Sequence, residues 1–247
     1  MKKLILSFIL SLILCTSAFA QSVPFPGPAM AVGGCADSSC TGFLVCQNFE
    51  GTGYDNGETW AETIGTNGIA NEDYTTTILR GSQSLLIYGG NAGQNSYTTY
   101  TLSADQSTLY IHALYRVDSL AAAASIIKAD NSAAANIFTI SNTITTGTVS
   151  VWCGGTGKTT VSGMSEGTTY HIWGKYVKGT GANAFCSVEF TAANIYSPTG
   201  TGDAYMEKTT GSSATDIHNI KLYSTAAINH IFDQVLTSAS AITNVCP

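Results

Sequence analysis

The chain has 247 residues, a net charge of −6, and 11% charged side chains against 44% hydrophobic ones. An acidic chain without basic clusters excludes a nucleic-acid partner held through its phosphates. The length suits one β-sandwich domain with a sizeable core, and no second folded domain is required.

Residues 1–20 open with Lys2 and Lys3, run on as an apolar stretch from Leu4 to Cys15 and close on Ala18-Phe19-Ala20. Charge, then apolar run, then small residues is the pattern of a secretory signal peptide, and the Met1-Lys2-Lys3 start reads as bacterial. Its removal strips two lysines and takes the charge from −6 to −8. Leu14 stands where a lipoprotein anchor needs a small residue, so Cys15 is assigned to the discarded signal. No later stretch reaches the ~18 apolar residues of a membrane helix, so no span is expected and the mature chain is placed outside the cell. Residues 21–41 form a Pro- and Gly-rich leader with Pro24, Pro26 and Pro28, read as an extended arm. The folded domain is expected over 42–247.

Within that domain, segments of period two alternate with clusters of Gly, Ser, Asn and Asp, the pattern of short antiparallel strands. The clearest run over Phe43–Phe49, Ser84–Tyr88, Leu109–Val117, Asn136–Ser141, Thr148–Cys153, Tyr170–Val177, Ala184–Phe190, Ile217–Tyr223 and Ile231–Leu236. Ala121–Ala124 reads as one helical turn or a loop, and no segment has helical period with caps over ten residues. The fold class is therefore all-β, a two-sheet antiparallel sandwich. Alternation places Leu109, Ile111, Ala113, Tyr115 and Val117 in the core and leaves Tyr110, His112, Leu114 and Arg116 on the opposite face.

Six cysteines follow the signal, an even number in an oxidising compartment, so disulfides are expected. Cys153 and Cys186 fall in phase with core residues, and Cys153–Cys186 is reasonable if their strands are neighbours. Cys46–Cys246 would clasp the chain ends and Cys35–Cys40 would close a small loop. This is one choice among the fifteen pairings open to six cysteines.

Three segments resemble the concanavalin A-like lectin and glucanase superfamily, including its laminin-G-like jelly rolls. They are Asn48-Phe49-Glu50-Gly51 with Trp60 downstream, the strand Leu109–Arg116, and Ile231-Phe232-Asp233-Gln234-Val235. The likeness spans Gly42 to Val245 and implies that the first and last strands share a sheet. It also implies a structural calcium with Asp233 and Glu50 among its oxygen ligands, against the simpler reading that Asp233 caps a strand end. The fold carries lectins, adhesion modules, glucanases and lyases alike, so activity must be argued from residues.

The paired carboxylates of the glucanases on one strand are absent; Glu58 and Glu62 flank Trp60 in a polar segment and read as loop residues. The lyases of this fold imply an Arg, a strand ending in His and a Tyr-bearing strand. Arg80, Tyr110, His112 and Tyr176 stand in comparable order, with His112 and Tyr110 as an acid–base couple or as ordinary strand residues. Trp152 alternates out of phase with Val149, Val151 and Cys153, so it stands on an outward face or packs under a loop. With Tyr110, His112 and Arg116 it forms the expected ligand-binding set, since flat rings stack on sugars. Gly154-Gly155-Thr156-Gly157-Lys158-Thr159 superficially resembles a phosphate loop but has no helix after it, so a hairpin or loop is expected. His171, His218 and His230 read as isolated, and Trp60 and Trp173 as packing residues.

The leading expectation is a secreted, non-catalytic, glycan-recognising module. A polysaccharide lyase acting on an acidic polymer is the enzymatic alternative. A surface or filament protein that self-associates through its N-terminal arm is the structural one.

Overall fold

The computed structural model describes residues 40–54, 57–91, 93–142, 147–154, 156–161, 163–180, 184–199, 204–208, 215–225, 227–242 and 245. The chain divides into two units, Met1–Gly33 and Gly34–Pro247, and every described residue lies in the second. The signal peptide and all but the last two residues of the leader therefore lie outside the described residues.

The described residues form strands and no helix. In chain order these are β1 (Val45–Gln47), β2 (Trp60–Thr63), β3 (Ile69–Tyr74), β4 (Ser84–Tyr88), β5 (Ser96–Gln106), β6 (Thr108–Val117), β7 (Ala124–Asp130) and β8 (Asn136–Asn142). They continue as β9 (Val149–Cys153), β10 (Thr156–Val161), β11 (Thr169–Val177), β12 (Ala184–Ala192), β13 (Ala204–Lys208), β14 (Ile217–Ser224) and β15 (Asn229–Ser238). Among the described residues the first sheet has eight strands, in the order β13-β12-β11-β6-β15-β4-β3 with β1 also on β15, and the second has seven, β10-β9-β8-β7-β14-β5-β2. All pairings are antiparallel, and the two sheets make the sandwich that the alternation pattern implies.

One face of each strand supplies the core. Leu109, Ile111, Ala113, Tyr115 and Val117 on β6 pack with Ile172 and Tyr176 on β11 and with Ile127, Ala129, Phe138, Ile140, Val149 and Val151 on the second sheet. Each such side chain contributes about 1.5–3 kcal/mol on burial. Gly174 on β11 has a structural use here. A Cβ at that position would sit 3.2 Å from both the Ile140 Cδ1 and Phe138 Cζ atoms, so the missing side chain lets the opposite sheet approach.

β5 and β6 are nearly continuous, with Ser107 at the corner where the chain leaves the second sheet for the first. The strand at the chain's end, β15, uses one edge for β6. Its other edge serves β4 through Asn229–Phe232 and β1 through Val235–Thr237. A bulge at Asp233–Leu236, with Gln234 at φ 44°, marks the changeover. The first and last strands thus share a sheet, as the family resemblance implies.

The disulfides revise the expected pairing. Cys40 and Cys46 are joined, with Cα atoms 5.6 Å apart, and Cys153 is joined to Cys186 at 5.8 Å. A sulfur forms one such bond, so Cys40–Cys46 excludes both Cys35–Cys40 and Cys46–Cys246; Cys35 and Cys246 lie outside the described residues. Cys153–Cys186 is the expected pair in a different setting. β9 and β12 belong to different sheets and the bond crosses the core, because both side chains point inward. Ala121–Ala124 forms no helical turn; it leads into β7.

Candidate functional site

The residues expected to bind or react lie mostly on the outward face of the first sheet, and that face is largely closed. Tyr110, His112 and Arg116 alternate outward on β6, but His112 is fully buried. Trp173 and Leu236 flank it and pack with Ile242 and Val245 of the C-terminal segment, with Tyr110, Tyr196 and Cys46 against them. Both His112 nitrogens are engaged. Nδ1 lies 3.0 Å from the Gln234 carbonyl and Nε2 lies 2.8 Å from His171 Nδ1, whose ring in turn meets the Ala193 carbonyl at 3.1 Å. His171 is therefore paired rather than isolated. Burial and the neighbouring imidazole hold the His112 pKa well below its usual range, and burial likewise lowers that of His171, with the positive charge of Arg80 adding to both. The two rings form a structural clasp between the β15 bulge and the turn after β12.

Of the other lyase candidates, Arg80 lies near enough for its charge to reach both imidazoles, whereas Tyr176 stands apart from them. Tyr176 points into the core from β11 and its hydroxyl donates to the Thr215 carbonyl at 2.6 Å. Arg80 precedes β4, where its backbone N–H donates to Asp233. Arg116 forms an ion pair with Asp118 at 2.8 Å. Tyr110 lies under the Lys175 ammonium, 5.4 Å from the ring centre. Glu58 is a framing residue, accepting from the Cys46 N–H, the Gln47 amide and the Trp60 indole; Glu62 accepts from Tyr54.

Asp233 and Glu50 come together at the changeover on β15. The Asp233 carboxylate is buried and accepts from the Gln234 N–H (2.7 Å), the Arg80 N–H (3.0 Å) and the Ser84 hydroxyl (3.2 Å). Glu50 accepts from the Ser82 N–H and hydroxyl. Burial, with a further contribution from the Glu50 charge, raises the Asp233 pKa to about 8 against the opposition of its donors. Beside them the Gln83 amide lies 3.0 Å from the Phe49 carbonyl and 2.7 Å from the Gly51 carbonyl, and donates to both with its nitrogen turned toward them. Two carboxylates and two main-chain carbonyls suit an oxygen-seeking cation in kind. No cluster of three or more His, Cys, Asp or Glu side chains able to hold a metal occurs among the described residues.

The outward face of the second sheet is different in character. Register places Trp152 on β9 opposite Thr139 on β8, Thr139 opposite Lys128 on β7, Lys128 opposite Lys221 on β14, and Lys221 opposite Thr99 on β5. Their chain neighbours Val151, Cys153, Phe138, Ile140, Ile127, Ala129, Ile220 and Leu222 fill the core, so this row of five must point away from it. With strands about 4.8 Å apart, the backbones of Trp152 and Lys221 are separated by roughly 14 Å. Trp152 thus lies on the opposite side of the sandwich from Tyr110, His112 and Arg116, and the four cannot form one site.

Beside the row, Tyr97 and Tyr223 stack with ring centres 4.8 Å apart and 4° between planes. The Lys128 ammonium sits 3.9 Å from the Tyr223 ring centre and the Lys221 ammonium 4.9 Å from that of Tyr97. Such cation–π contacts hold the two amines in place. Lys221 also pairs with the buried Asp130 at 2.5 Å. Burial lowers the Lys128 pKa; Asp130 opposes this and Lys221 adds to it. Burial, then the neighbouring Tyr97, raises the Tyr223 pKa to about 12.

No family model and no curated protein matches the chain. Solved structures do. The cellulose-induced protein Cip1 superposes with a TM-score of 0.57 at 12% identity, covering 81% of this chain and 100% of that one. An endo-β-1,4-glucuronan lyase from the fungus Trichoderma reesei gives 0.57 at 9% identity, with 80% and 96% covered. A botulinum neurotoxin type C structure, described by its interaction with two ganglioside molecules, gives 0.51 at 7% identity, with 82% and 49% covered. The fold is the concanavalin A-like jelly-roll sandwich.

Proposed function

We propose that the chain is a secreted glycan-binding module whose contact surface is the outward face of the second sheet. The observation that carries this reading is the row Trp152, Thr139, Lys128, Lys221 and Thr99. It combines an aromatic ring, two ammonium groups and the Thr99 hydroxyl on one face, the mixture that sugar recognition uses. Thr139 is buried with its hydroxyl on the Asn136 amide and serves as the spacer between ring and amines. Rigid strands fix their spacing, so little ordering is needed on binding. The fold neighbours include proteins named for action on a polysaccharide or interaction with a glycolipid, and the two disulfides support an oxidising, extracellular setting. No helix among the described residues is long and apolar enough to cross a membrane.

Calcium at Asp233 and Glu50 is a second part of the proposal. A cation there would keep Asp233 ionised, and the Gln83 amide, turned oxygen inward, would join the Phe49 and Gly51 carbonyls. Its role would be to tie the end of β1, the β3–β4 turn and the β15 bulge together, remote from the binding row in sequence. Assembly through the Pro-rich arm, the structural alternative, involves residues 21–34, which lie outside those described.

The test is retention on insoluble polysaccharides by wild type and Trp152→Ala. Wild type should be retained and the variant should bind at least ~10-fold more weakly, the scale of one lost aromatic anchor. Equal retention of the two would remove Trp152, and with it this face, from the account.

A further inference from the structure

Lys128 and Lys221 stand directly opposite each other on β7 and β14. Like charges in that relation destabilise a sheet, and the strand pairing fixes them there. Asp130 acts on both charges but pairs directly with only one. It is in ion-pair contact with Lys221, whereas among the described residues Lys128 has no carboxylate in ion-pair contact and rests on the Tyr223 ring. The row therefore carries one surplus positive charge on a chain whose net charge is −6. Thr139 and Thr99 on either side are neutral, so nothing else in the row neutralises it.

From this arrangement we infer that the face binds an anionic polysaccharide, with Lys128 and Lys221 together taking the carboxylate or sulfate of one sugar unit while Trp152 packs on a neighbouring unit. This rests on the glycan-binding reading and adds the charge class of the ligand. An anion placed between the two amines removes their mutual repulsion, so binding energy is gained from a strain already built into the apo sheet. The stacked Tyr97–Tyr223 pair is the support that keeps both amines aimed outward, and Asp130 keeps Lys221 from folding away. Burial lowers the proton affinity of Lys128 against the opposing charge of Asp130, so anion binding through it weakens as pH rises into the alkaline range.

The experiment is affinity electrophoresis of the oxidised, full mature protein through gels containing polygalacturonate, the same polymer after reduction of its carboxylates, or dextran sulfate. Variants Lys128→Gln and Lys175→Gln are run beside wild type. They change the net charge equally, but Lys175 lies on β11 in the other sheet. Retardation by polygalacturonate, dextran sulfate or both, falling with salt, absent on the reduced polymer and reduced ~10-fold in Lys128→Gln alone, is the expected result, and the pattern between the two anionic gels identifies carboxylate or sulfate. Equal retardation on the reduced polymer overturns the anionic inference and leaves glycan binding standing. Equal losses in the two variants overturn it as a net-charge effect. Retardation in none of the three gels overturns both readings.

Discussion

Replacing Cys153 and Cys186 together by alanine should show how much the two sheets depend on their one described covalent link. The pair is separated by 33 positions, so the bond closes a loop of about 34 residues. Loop entropy then assigns it ~3.8 kcal/mol at 25 °C. The same relation gives the Cys40–Cys46 bond, with its separation of 6, ~2.4 kcal/mol. For a domain of this size, ~3.8 kcal/mol corresponds to a fall in Tm of roughly 8–15 °C. Both cysteines of the cross-sheet pair are fully buried, so lost packing adds to the loss. The assay is urea and thermal unfolding of the two double-alanine variants beside wild type, without reductant. A Cys40/Cys46 variant losing as much as the Cys153/Cys186 variant, or a Cys153/Cys186 loss under ~1 kcal/mol, would refute the reasoning that the cross-core bond is the stronger constraint.

Two other predictions concern the frame around the site. The folded-state pKa of Asp233 is raised from 3.8 to about 8, so the contribution of this group is fully present below the unfolded pKa and is lost as pH rises through the folded one. Between pH 7 and 9, above the range in which the buried histidines act, wild type should lose ~1.4 kcal/mol that Asp233→Asn does not. Calcium should restore that loss in wild type only, as read by urea midpoints with calcium or chelator; parallel pH profiles would contradict the account. Gly90 has φ +87° and a Cβ there would meet the Thr66 carbonyl at 2.4 Å and the Gly68 nitrogen at 2.7 Å, whereas Gly93, at φ +79°, has nothing within 4 Å. Gly90→Ala should therefore destabilise by at least ~2 kcal/mol and Gly93→Ala by about 1 kcal/mol, the cost of the left-handed backbone alone, in the same unfolding assay.

Strands with an apolar inward face were legible in the sequence. β6, β9 and β12 follow their alternation, and Cys153 and Cys186 point inward with it. β5 is not legible because its inward residues include Ser96, Thr98 and Tyr100, so polar side chains mask the period, although Tyr97, Thr99 and Thr101 alternate outward. β7 was hidden by the alanine run before it, and its adjacent Ile126 and Ile127 blur the two-residue period. Those two strands supply Tyr97, Thr99, Lys128 and Asp130, so the charged and aromatic cluster could not be assembled from sequence. Tyr223 and Lys221 sit on a strand with a clear period, but their partners do not. The expected set on the first sheet failed as an open site for a different reason. Alternation says which residues leave the core, and it is blind to a C-terminal segment that later packs on that face, as Ile242 and Val245 do with Trp173 and Leu236, the cross-strand neighbours of His112. The disulfide reassignment has a similar origin, since in-phase cysteines can face a paired strand or the opposite sheet.

The most direct measurement is a titration of isotope-labelled protein with a soluble oligosaccharide from whichever polysaccharide retains it, followed by amide and indole chemical shifts. The account predicts that shifts concentrate on Trp152, Thr139, Lys128, Lys221 and Thr99 of the second sheet. Shifts centred instead on Tyr110 and Arg116, on the outward face of the first sheet, would contradict it.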